Sequence, residues 1–212
     1  MDEVKNFILE NKLGLALENK SFRDYTTLKV GGKIRLVYLP DTIEHFLIFY
    51  QFYKLLNRPL FVIGAGSNVF ASDRDFDGVV VNFSKLIVRY YRINTTYTCY
   101  PGCSVVRLAY DLARHGLTGG EFLAGIPATI GGAVYMNAGA NNYEIKDILI
   151  SAKLLHRDGS IKEYKKKDLH FGYRKSRLQE EDSIVLEAEF CFRKANPEVV
   201  LEFLKDLKEK TK

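Results

Sequence analysis

The chain has 212 residues, of which 47% are hydrophobic and 27% are charged, and its net charge is +5. This composition is typical of a globular protein with one large domain or two small ones, so a disordered class need not be considered. The excess of basic residues is too small and too evenly spread to predict a nucleic-acid partner, although it suits a phosphorylated ligand.

Cysteine usage and apolar runs exclude further classes of protein. Cys99, Cys103 and Cys191 form no CxxC pair and have no histidine cluster nearby, so neither a disulfide framework nor a metal site is predicted. Cys191 lies in an alternating strand pattern and is expected to be buried. No apolar run approaches the length of about 18 residues that spans a membrane, and the acidic residues 1–6 do not form a signal peptide. We therefore expect a cytoplasmic protein without a membrane partner.

Residues 1–83 are predicted to form an α/β lobe that begins with a helix. Asp41 and Thr42 are suitable cap residues for the longer helix of this lobe, and Pro40 ends the strand before it. In chain order, the patterns predict an amphipathic helix at 4–17, an alternating strand at 33–40 and a capped helix at 41–57. Two strands of the buried type follow at 60–63 and 78–83.

Residues 84–196 are predicted to form a second lobe that is richer in strands. One or two strands cover residues 90–100, and a helix over 105–115 is closed by Gly116. Glycines are too frequent in residues 116–139 for a regular element there. The remaining patterns predict a hairpin at 150–164, a last long strand at 183–193 and a charged C-terminal helix at 197–212.

The loop after the strand at 60–63 has the composition of an anion-binding turn, Gly64-Ala65-Gly66-Ser67-Asn68. Its glycines would let the backbone turn tightly and approach a ligand closely, and Ser67 and Asn68 add side-chain donors, which together suit a pyrophosphate. The third glycine and following helix of a dinucleotide fingerprint are missing, as is the GK[ST] of a Walker A loop. A plain strand-to-loop turn is the alternative interpretation.

A second segment, residues 119–140, alternates apolar residues with glycines and has almost no charge. A backbone packed against a large, flat ligand would explain this pattern. In that interpretation glycines such as Gly131 permit close approach, Ile126, Ile130 and Val134 form apolar walls, and Thr129 and Asn137 provide hydrogen bonds. The alternative is a glycine-rich loop that packs only on protein.

A third segment, residues 171–177, places three cations and a phenol close together. Tyr173, Arg174 and Lys175 suit an anionic substrate, because an arginine can clamp a carboxylate with two parallel hydrogen bonds. A basic turn on the surface is the alternative.

These segments, in this order and together with Thr26-Thr27-Leu28-Lys29-Val30-Gly31-Gly32, resemble the UDP-N-acetylenolpyruvoylglucosamine reductase (MurB) family in its second subtype. The resemblance covers residues 13–196. Two departures are Ala128, where the family usually has glycine, and Asn141-Asn142-Tyr143, where a tyrosine followed by two glycines is common.

The resemblance implies an α+β, two-lobed FAD-binding fold of the MurB/PCMH type, with FAD bound non-covalently and NADPH as co-substrate. The substrate would be a UDP-sugar, the enolpyruvyl ether of UDP-N-acetylglucosamine, reduced in peptidoglycan synthesis and therefore linked to cell-wall biogenesis, cell shape, cell division and the cell cycle. Arg174 falls on the family's catalytic arginine, and Tyr173 on a substrate contact that Lys175 would extend. The residues implied to bind the cofactor are Thr27, Gly64, Ala65, Gly66, Ser67, Asn68, Gly125, Ile126, Pro127, Ala128, Thr129, Gly131, Gly132, Ala133 and Asn137. Cys103 is expected to be structural rather than a covalent attachment point.

Family members continue past the helix at 197–212 into a third domain, which carries a proton-donating serine in a PSAGSxF motif that does not occur in these 212 residues. The expected organisation is therefore a first FAD-binding lobe at 1–83, a second at 84–196 and a helix leading to an absent domain. Three hypotheses remain open: a reductase or its FAD-binding part, with the third domain either supplied by a separate chain or cut away from this sequence; a shortened FAD-binding protein without reductase activity; and a scaffold that has lost the flavin.

Overall fold

The computed structural model describes residues 1–210, and the side chains of residues 1–206. The chain has an α+β fold made of two compact units, which divide between Val88 and Arg89. The sequence patterns predict this boundary after residue 83.

Unit 1 is built on a five-stranded sheet in which β1, β3, β5 and β4 lie side by side and β2 pairs with β3. β3 and β4 run parallel to β5, whereas β1 and β2 are antiparallel to β3. The strands and helices of this unit are α1 (Asp2–Glu10), β1 (Gly14–Leu17), β2 (Lys20–Ser21), β3 (Lys33–Pro40), α2 (Ile43–Tyr53), β4 (Leu60–Val62) and β5 (Phe76–Val81).

The predicted helix over residues 4–17 is wrong in its second half, because α1 ends at Glu10 and the following residues form β1. Lys12 adopts a φ of +52° and Gly14 a φ of +125°, so the chain reverses there and pairs with β3. A β-carbon on Gly14 would lie 2.3 Å from the carbonyl oxygen of Leu39, so this position requires glycine. The apolar residues after Lys12 follow both helix and strand periods over so short a distance, and the sheet contact decides between them.

The predicted helix at 41–57 is confirmed by α2 and a 3₁₀ turn over Lys54–Leu56. The Thr42 hydroxyl accepts a hydrogen bond from the backbone N–H of His45 at 3.1 Å, which caps the helix. Phe46, Phe49 and Tyr53 are buried. β4 follows at the predicted place, but it is an edge strand and only half-buried, so its apolar run does not mark a central strand.

Unit 2 is built on a five-stranded antiparallel sheet in the order β12-β11-β13-β7-β6. Its strands are β6 (Tyr90–Ile93), β7 (Thr96–Cys99), β8 (Leu117–Thr118), β9 (Gly139–Ala140), β10 (Tyr143–Glu144), β11 (Leu149–Leu155), β12 (Ile161–Lys165), β13 (Ile184–Cys191) and β14 (Arg193–Lys194). Its helices are α3 (Val105–Arg114), α4 (Ile130–Tyr135), α5 (Ile145–Ile148), α6 (Leu178–Glu181) and α7 (Pro197–Lys210).

The predicted strands at 90–100, the helix at 105–115, the hairpin at 150–164 and the strand at 183–193 are all confirmed. The C-terminal helix begins as expected, with Val200 and Leu204 packed against Ala113 of α3, but the last two residues of its predicted range lie outside the described residues. Cys191 is exposed at the end of β13, so its predicted burial is wrong.

A regular helix, α4, lies inside the glycine-rich stretch, where the sequence predicted none. Both of its ends are fixed by contacts that outweigh the low helix propensity of Gly131 and Gly132, which is about 1 kcal/mol per glycine. The N–H groups of Ile130 and Gly131 donate to the carbonyls of Cys103 and Pro101 at 2.8 and 3.0 Å. At the other end Asn137 adopts a φ of +43° and completes a Schellman motif. The N–H of Ala138 donates to the Ala133 carbonyl at 2.8 Å, and the N–H of Asn137 donates to the Val134 carbonyl at 3.2 Å.

The departure at Asn141-Asn142 is explained by the hairpin between β9 and β10. Both asparagines have positive φ angles, 53° and 65°, and Ala140 pairs with Tyr143 across them. Asparagine tolerates this conformation best after glycine, so both residues suit the turn.

Within the described part of the chain, no helix has the length and apolar character needed to cross a membrane, and no group of His, Cys, Asp or Glu side chains is placed to hold a metal ion.

Candidate functional site

The glycine loop of unit 1 is held by Asn82, a buried residue that the sequence analysis did not single out. Its amide nitrogen donates to the carbonyls of Ile63 and Gly64, both at 3.1 Å, and its oxygen accepts from the N–H of Ser84 at 2.9 Å. β4 and β5 are parallel, so the segments that follow them lie at the same edge of the sheet. A polar residue directly after the valine run of β5 was the signal for Asn82.

Gly66 of this loop packs on protein rather than leaving room for a ligand. It has a φ of +68°, and a β-carbon there would lie 1.8 Å from the Tyr25 carbonyl oxygen and 2.8 Å from the Thr26 α-carbon. Its own carbonyl accepts from the N–H of Thr27 at 3.1 Å, so the structure brings the predicted Thr27 and the glycine loop together. The side of Gly66 that a β-carbon would occupy is therefore filled by protein, and its role in cofactor binding stays a prediction. Ala65, Ser67, Asn68 and Thr27 are exposed.

In unit 2, Gly125 and Gly132 are the glycines predicted to bind the cofactor that leave space beside the backbone. Apart from its chain neighbours, no described residue has an atom within 4 Å of a β-carbon built on Gly125. On Gly132 the nearest atom outside the adjacent residues and the helix backbone is the Thr129 hydroxyl oxygen, at 3.7 Å. Pro127 between them is exposed, and Ala128 and Thr129 are half-buried. The carbonyl of Ala128 accepts from the N–H of Val105 at 3.1 Å, which fixes the segment on the start of α3.

The other predicted cofactor residues of this segment are engaged within the unit. Ile126, Ile130, Ala133 and Val134 belong to the hydrophobic core, so the predicted apolar walls are wrong as side-chain contacts to a ligand. A β-carbon on Gly131 would lie 3.0 Å from the Pro101 side chain, so that glycine serves helix packing.

Asn137 is also engaged within the unit, because it is fully buried and has internal partners on both sides of its amide. The amide nitrogen donates to the Gly172 carbonyl at 2.9 Å, and the oxygen accepts from the Lys146 N–H at 3.0 Å. The predicted hydrogen bond from Asn137 to a ligand is therefore wrong. Its side chain instead connects the end of α4 with the basic segment at 171–177.

Tyr173 and Arg174 form the tip of a tight turn in which Gly172 and Lys175 exchange backbone hydrogen bonds of 3.0 and 3.1 Å. Both tip residues are exposed, and Arg174 is held in the left-handed region with a φ of +53°. The Arg174 guanidinium donates to the Gly139 carbonyl at 2.8 Å and lies 5.8 Å from the centre of the Tyr173 ring. The structure thus brings the second and third predicted segments together.

Lys175 leaves this turn toward solvent and forms an ion pair of 2.8 Å with Glu180, whose hydrogen bond raises the pKa of Lys175. Two residues that were not predicted as site residues connect the base of this turn to the end of α4. The Ser176 hydroxyl, fully buried, donates to the Tyr135 carbonyl at 2.6 Å, and the Gln179 amide reaches the same carbonyl at 3.2 Å. Nothing in the local pattern marks them, because the Tyr135 carbonyl that both of them contact lies more than 40 positions away.

Cys99 and Cys103 are both buried in the core of unit 2. Burial raises the pKa of the Cys99 thiol, and the hydrogen bond from that thiol lowers the pKa of Cys103. Because the Cys103 thiol is buried in the core, a structural role is favoured for it over covalent attachment of a ligand.

Comparisons with known proteins agree with this arrangement. A family described as an FAD binding domain matches residues 34–165. The UDP-N-acetylenolpyruvoylglucosamine reductase of Bacillus pumilus is 40% identical over 201 residues, which are 94% of this chain and 66% of the relative. That of Bacillus subtilis is 33% identical over 99% of this chain and 69% of the relative. The chain thus spans about two thirds of the length of these curated relatives, and 59% of one from Caldicellulosiruptor saccharolyticus.

Solved structures give the same result for the fold. The MurB structure from Thermus caldophilus aligns with a TM-score of 0.75 and 29% identity over 92% of this chain and 68% of that one. An alkyldihydroxyacetonephosphate synthase aligns with a TM-score of 0.65 over 91% of this chain and 40% of that one, and at 18% identity it shows a shared fold alone.

Proposed function

The chain belongs to the UDP-N-acetylenolpyruvoylglucosamine reductase family, and from this premise we propose that it binds FAD non-covalently as the flavin-binding part of a reductase. The observation that carries the proposal is in unit 2. Gly125 and Gly132 leave space beside an exposed, anchored backbone segment, and that segment is connected to the turn that carries Arg174.

The residues present fit such a cofactor in each unit taken by itself. In unit 1, Ser67 and Asn68 are exposed on a loop whose backbone Asn82 fixes, which suits the pyrophosphate, and Thr27 is bonded to the same loop. In unit 2, Gly125, Pro127, Ala128, Thr129 and Gly132 would face the flavin ring. We propose that the two units are the two FAD-binding lobes of the family.

FAD, when reduced by NADPH, would supply a hydride to the enolpyruvyl double bond of a UDP-sugar. Arg174 would stabilise the negative charge that develops on the substrate, because a fixed cation needs no reorganisation when the charge appears. Its guanidinium donates to Gly139 and keeps further N–H donors for a carboxylate. Tyr173 and Lys175 would contact the same substrate, and the pathway would be peptidoglycan synthesis in the cytoplasm.

A second candidate is an FAD-binding protein without reductase activity. These 212 residues contain no PSAGSxF motif, and the serine of that motif is the proton donor that the family resemblance implies. A separate chain that supplies a proton donor would reconcile this candidate with the first.

The test of the proposal is a titration of the purified chain with FAD, followed by protein fluorescence and by flavin absorbance after gel filtration. We expect the protein to retain one equivalent of FAD and to turn yellow. Addition of the enolpyruvyl UDP-sugar should then change the flavin spectrum. A chain that is folded, as judged by circular dichroism, but loses all flavin on gel filtration would contradict the proposal.

A further inference from the structure

The turn that presents Arg174 is held in a conformation that its own residues disfavour. Arg174 lies in the left-handed region, where a side chain crowds the following carbonyl group. The turn projects its tip residues into solvent, and Tyr173 is 86% exposed. A strained residue of this kind persists where the surrounding structure determines its conformation, so the contacts that hold the turn decide where the guanidinium lies.

Gln179 makes the contacts that connect the base of this turn to the end of α4. Its amide nitrogen donates to the Arg174 carbonyl at 3.1 Å and to the Tyr135 carbonyl at 3.2 Å, with the Met136 sulfur at 3.4 Å. Tyr135 is the last residue of α4, so its carbonyl has no partner within the helix. One amide therefore joins the last turn of the helix to the backbone of the residue proposed to act on the substrate.

The other side chains at this junction do not make that connection. Ser176 reaches Tyr135 but not the turn tip, and it is fully buried. Asn137 bonds Gly172, but it is also the left-handed residue of the Schellman motif that ends α4, so its replacement would disturb the helix itself. Gln179 is half-buried at the start of α6 and has no part in a core cluster of the described residues. Its amide can therefore be removed without opening the core.

We infer that Gln179 is a positioning residue, which fixes the backbone of the turn so that Arg174 presents its guanidinium to the substrate. The part of this inference that concerns substrate rests on the proposed function. The part that concerns the turn does not, because it follows from the contacts of Gln179 alone.

Limited trypsin digestion tests the turn without any ligand, because the bond after Arg174 is itself a trypsin site. Loss of a hydrogen bond of this kind changes a local opening equilibrium by about threefold to tenfold. We expect Gln179→Leu, which keeps the shape but loses the donor, to be cut after Arg174 faster by that factor. Gln179→Glu should be cut faster still, because its carboxylate would face two carbonyl oxygens.

Glu181→Gln is the matched control, since it removes the ion pair with Arg177 on the same short helix and leaves the turn contacts in place. It should be cut after Arg174 at the wild-type rate. Equal rates of cleavage after Arg174 in the wild type and both Gln179 variants would overturn the inference. The second Gln179 variant decides the matter if the first does not fold.

A double-mutant cycle tests the substrate part. Titration of the FAD-bound chain with the enolpyruvyl UDP-sugar should show that Gln179→Leu weakens binding by about threefold to tenfold in the presence of Arg174. In the Arg174→Ala background the same change should have no effect on the affinity. An equal loss in both backgrounds would show that Gln179 does not act through Arg174. If the wild type binds no substrate, the proposed function fails, and the trypsin rates alone decide the role of Gln179.

Discussion

Gly132 lies within α4 with open space beside its α-carbon, whereas the backbone of Tyr25 lies 1.8 Å from the place where a β-carbon on Gly66 would be. Both glycines belong to segments that match the family, so the sequence alone predicts the same cofactor-binding role for both. Their physical roles differ, because one permits approach to the backbone from outside and the other permits two backbone segments to pack. This difference gives substitutions with opposite effects on stability.

We expect Gly132→Ala to raise the free energy of unfolding by about 0.5–1 kcal/mol, since alanine is favoured over glycine within a helix. The same change should weaken FAD binding, because the methyl group would occupy the space proposed for the flavin. Urea unfolding and an FAD titration on the same preparation measure the two effects. Unchanged FAD affinity in Gly132→Ala and in the bulkier Gly132→Leu would show that this space is not used.

Gly66→Ala is the contrasting variant. It should lower the free energy of unfolding by about 1–3 kcal/mol, because it combines a positive φ with a backbone clash. Any loss of FAD binding in this variant should follow its loss of fold in urea, unlike the loss in Gly132→Ala.

Arg174 combines a proposed catalytic role with a disfavoured backbone conformation. We expect Arg174→Gly to be more stable than Arg174→Ala by about 1 kcal/mol, because glycine adopts the left-handed region without steric cost. Both variants should bind the enolpyruvyl sugar about 10-fold to 150-fold more weakly, the range expected for a lost charged hydrogen bond. Thermal unfolding and substrate titration separate the two properties, and an Arg174→Ala variant as stable as Arg174→Gly would argue against strain.

At the scale of elements, the sequence predicts those whose signals are local. The helix at 41–57 has a cap and a long apolar face, and the hairpin at 150–164 has alternating strands around an Asp-Gly turn, so both were predictable. α4 was not predictable in this way, because its N-terminal bonds go to residues 101–103 and its glycines conceal the helical pattern. The same reason explains why Gln179, Ser176 and Asn82 were missed in the site, since each acts on a carbonyl that is distant in sequence.

The junction of α2 and β4 gives unit 1 a pH dependence at the alkaline end. Tyr53 is buried and donates to the Pro59 carbonyl at 2.9 Å, and burial raises the pKa of its phenol from 10.0 to about 12. The folded state therefore holds this proton more tightly than the unfolded state. Its contribution to stability is constant below about pH 10 and is lost as the pH rises to about 12, a decrease of about 2–3 kcal/mol.

Tyr53→Phe should lower stability by about 1 kcal/mol at neutral pH and should flatten this alkaline decrease. Urea unfolding of both proteins between about pH 8 and about pH 12 gives the comparison. Other buried tyrosines titrate equally in both proteins, so the difference between the two curves isolates Tyr53. Parallel curves across this range would mean that the phenol of Tyr53 ionises as it does in the unfolded chain.

At the scale of the whole molecule, the chain spans 59–70% of the length of the curated relatives cited here and of another from Bacillus cereus. We expect these 212 residues, purified with FAD, to turn over the enolpyruvyl sugar far more slowly than the full-length Bacillus pumilus relative. The physical reason is that hydride addition to one carbon of the double bond leaves negative charge on the other carbon, which must then be protonated by a positioned acid, and general acid catalysis contributes about 10²–10⁴-fold. NADPH oxidation with and without substrate measures the difference. Turnover equal to that of the relative would mean that a residue within these 212 supplies the proton.

The order of strands in the sheet of unit 2 has a consequence for synthesis on the ribosome. β13 lies between the β6–β7 and β11–β12 hairpins, yet it is the last of these strands to be translated. Unit 1 ends at Val88 and can fold while the rest of the chain is still being synthesised. The two hairpins of unit 2 keep β7 and β11 as unpaired edge strands until β13 has been translated. A nonsense codon between residues 166 and 184 would therefore yield a folded unit 1 joined to two hairpins with open edges, and we expect such a product to be bound by chaperones rather than to act as a smaller functional protein.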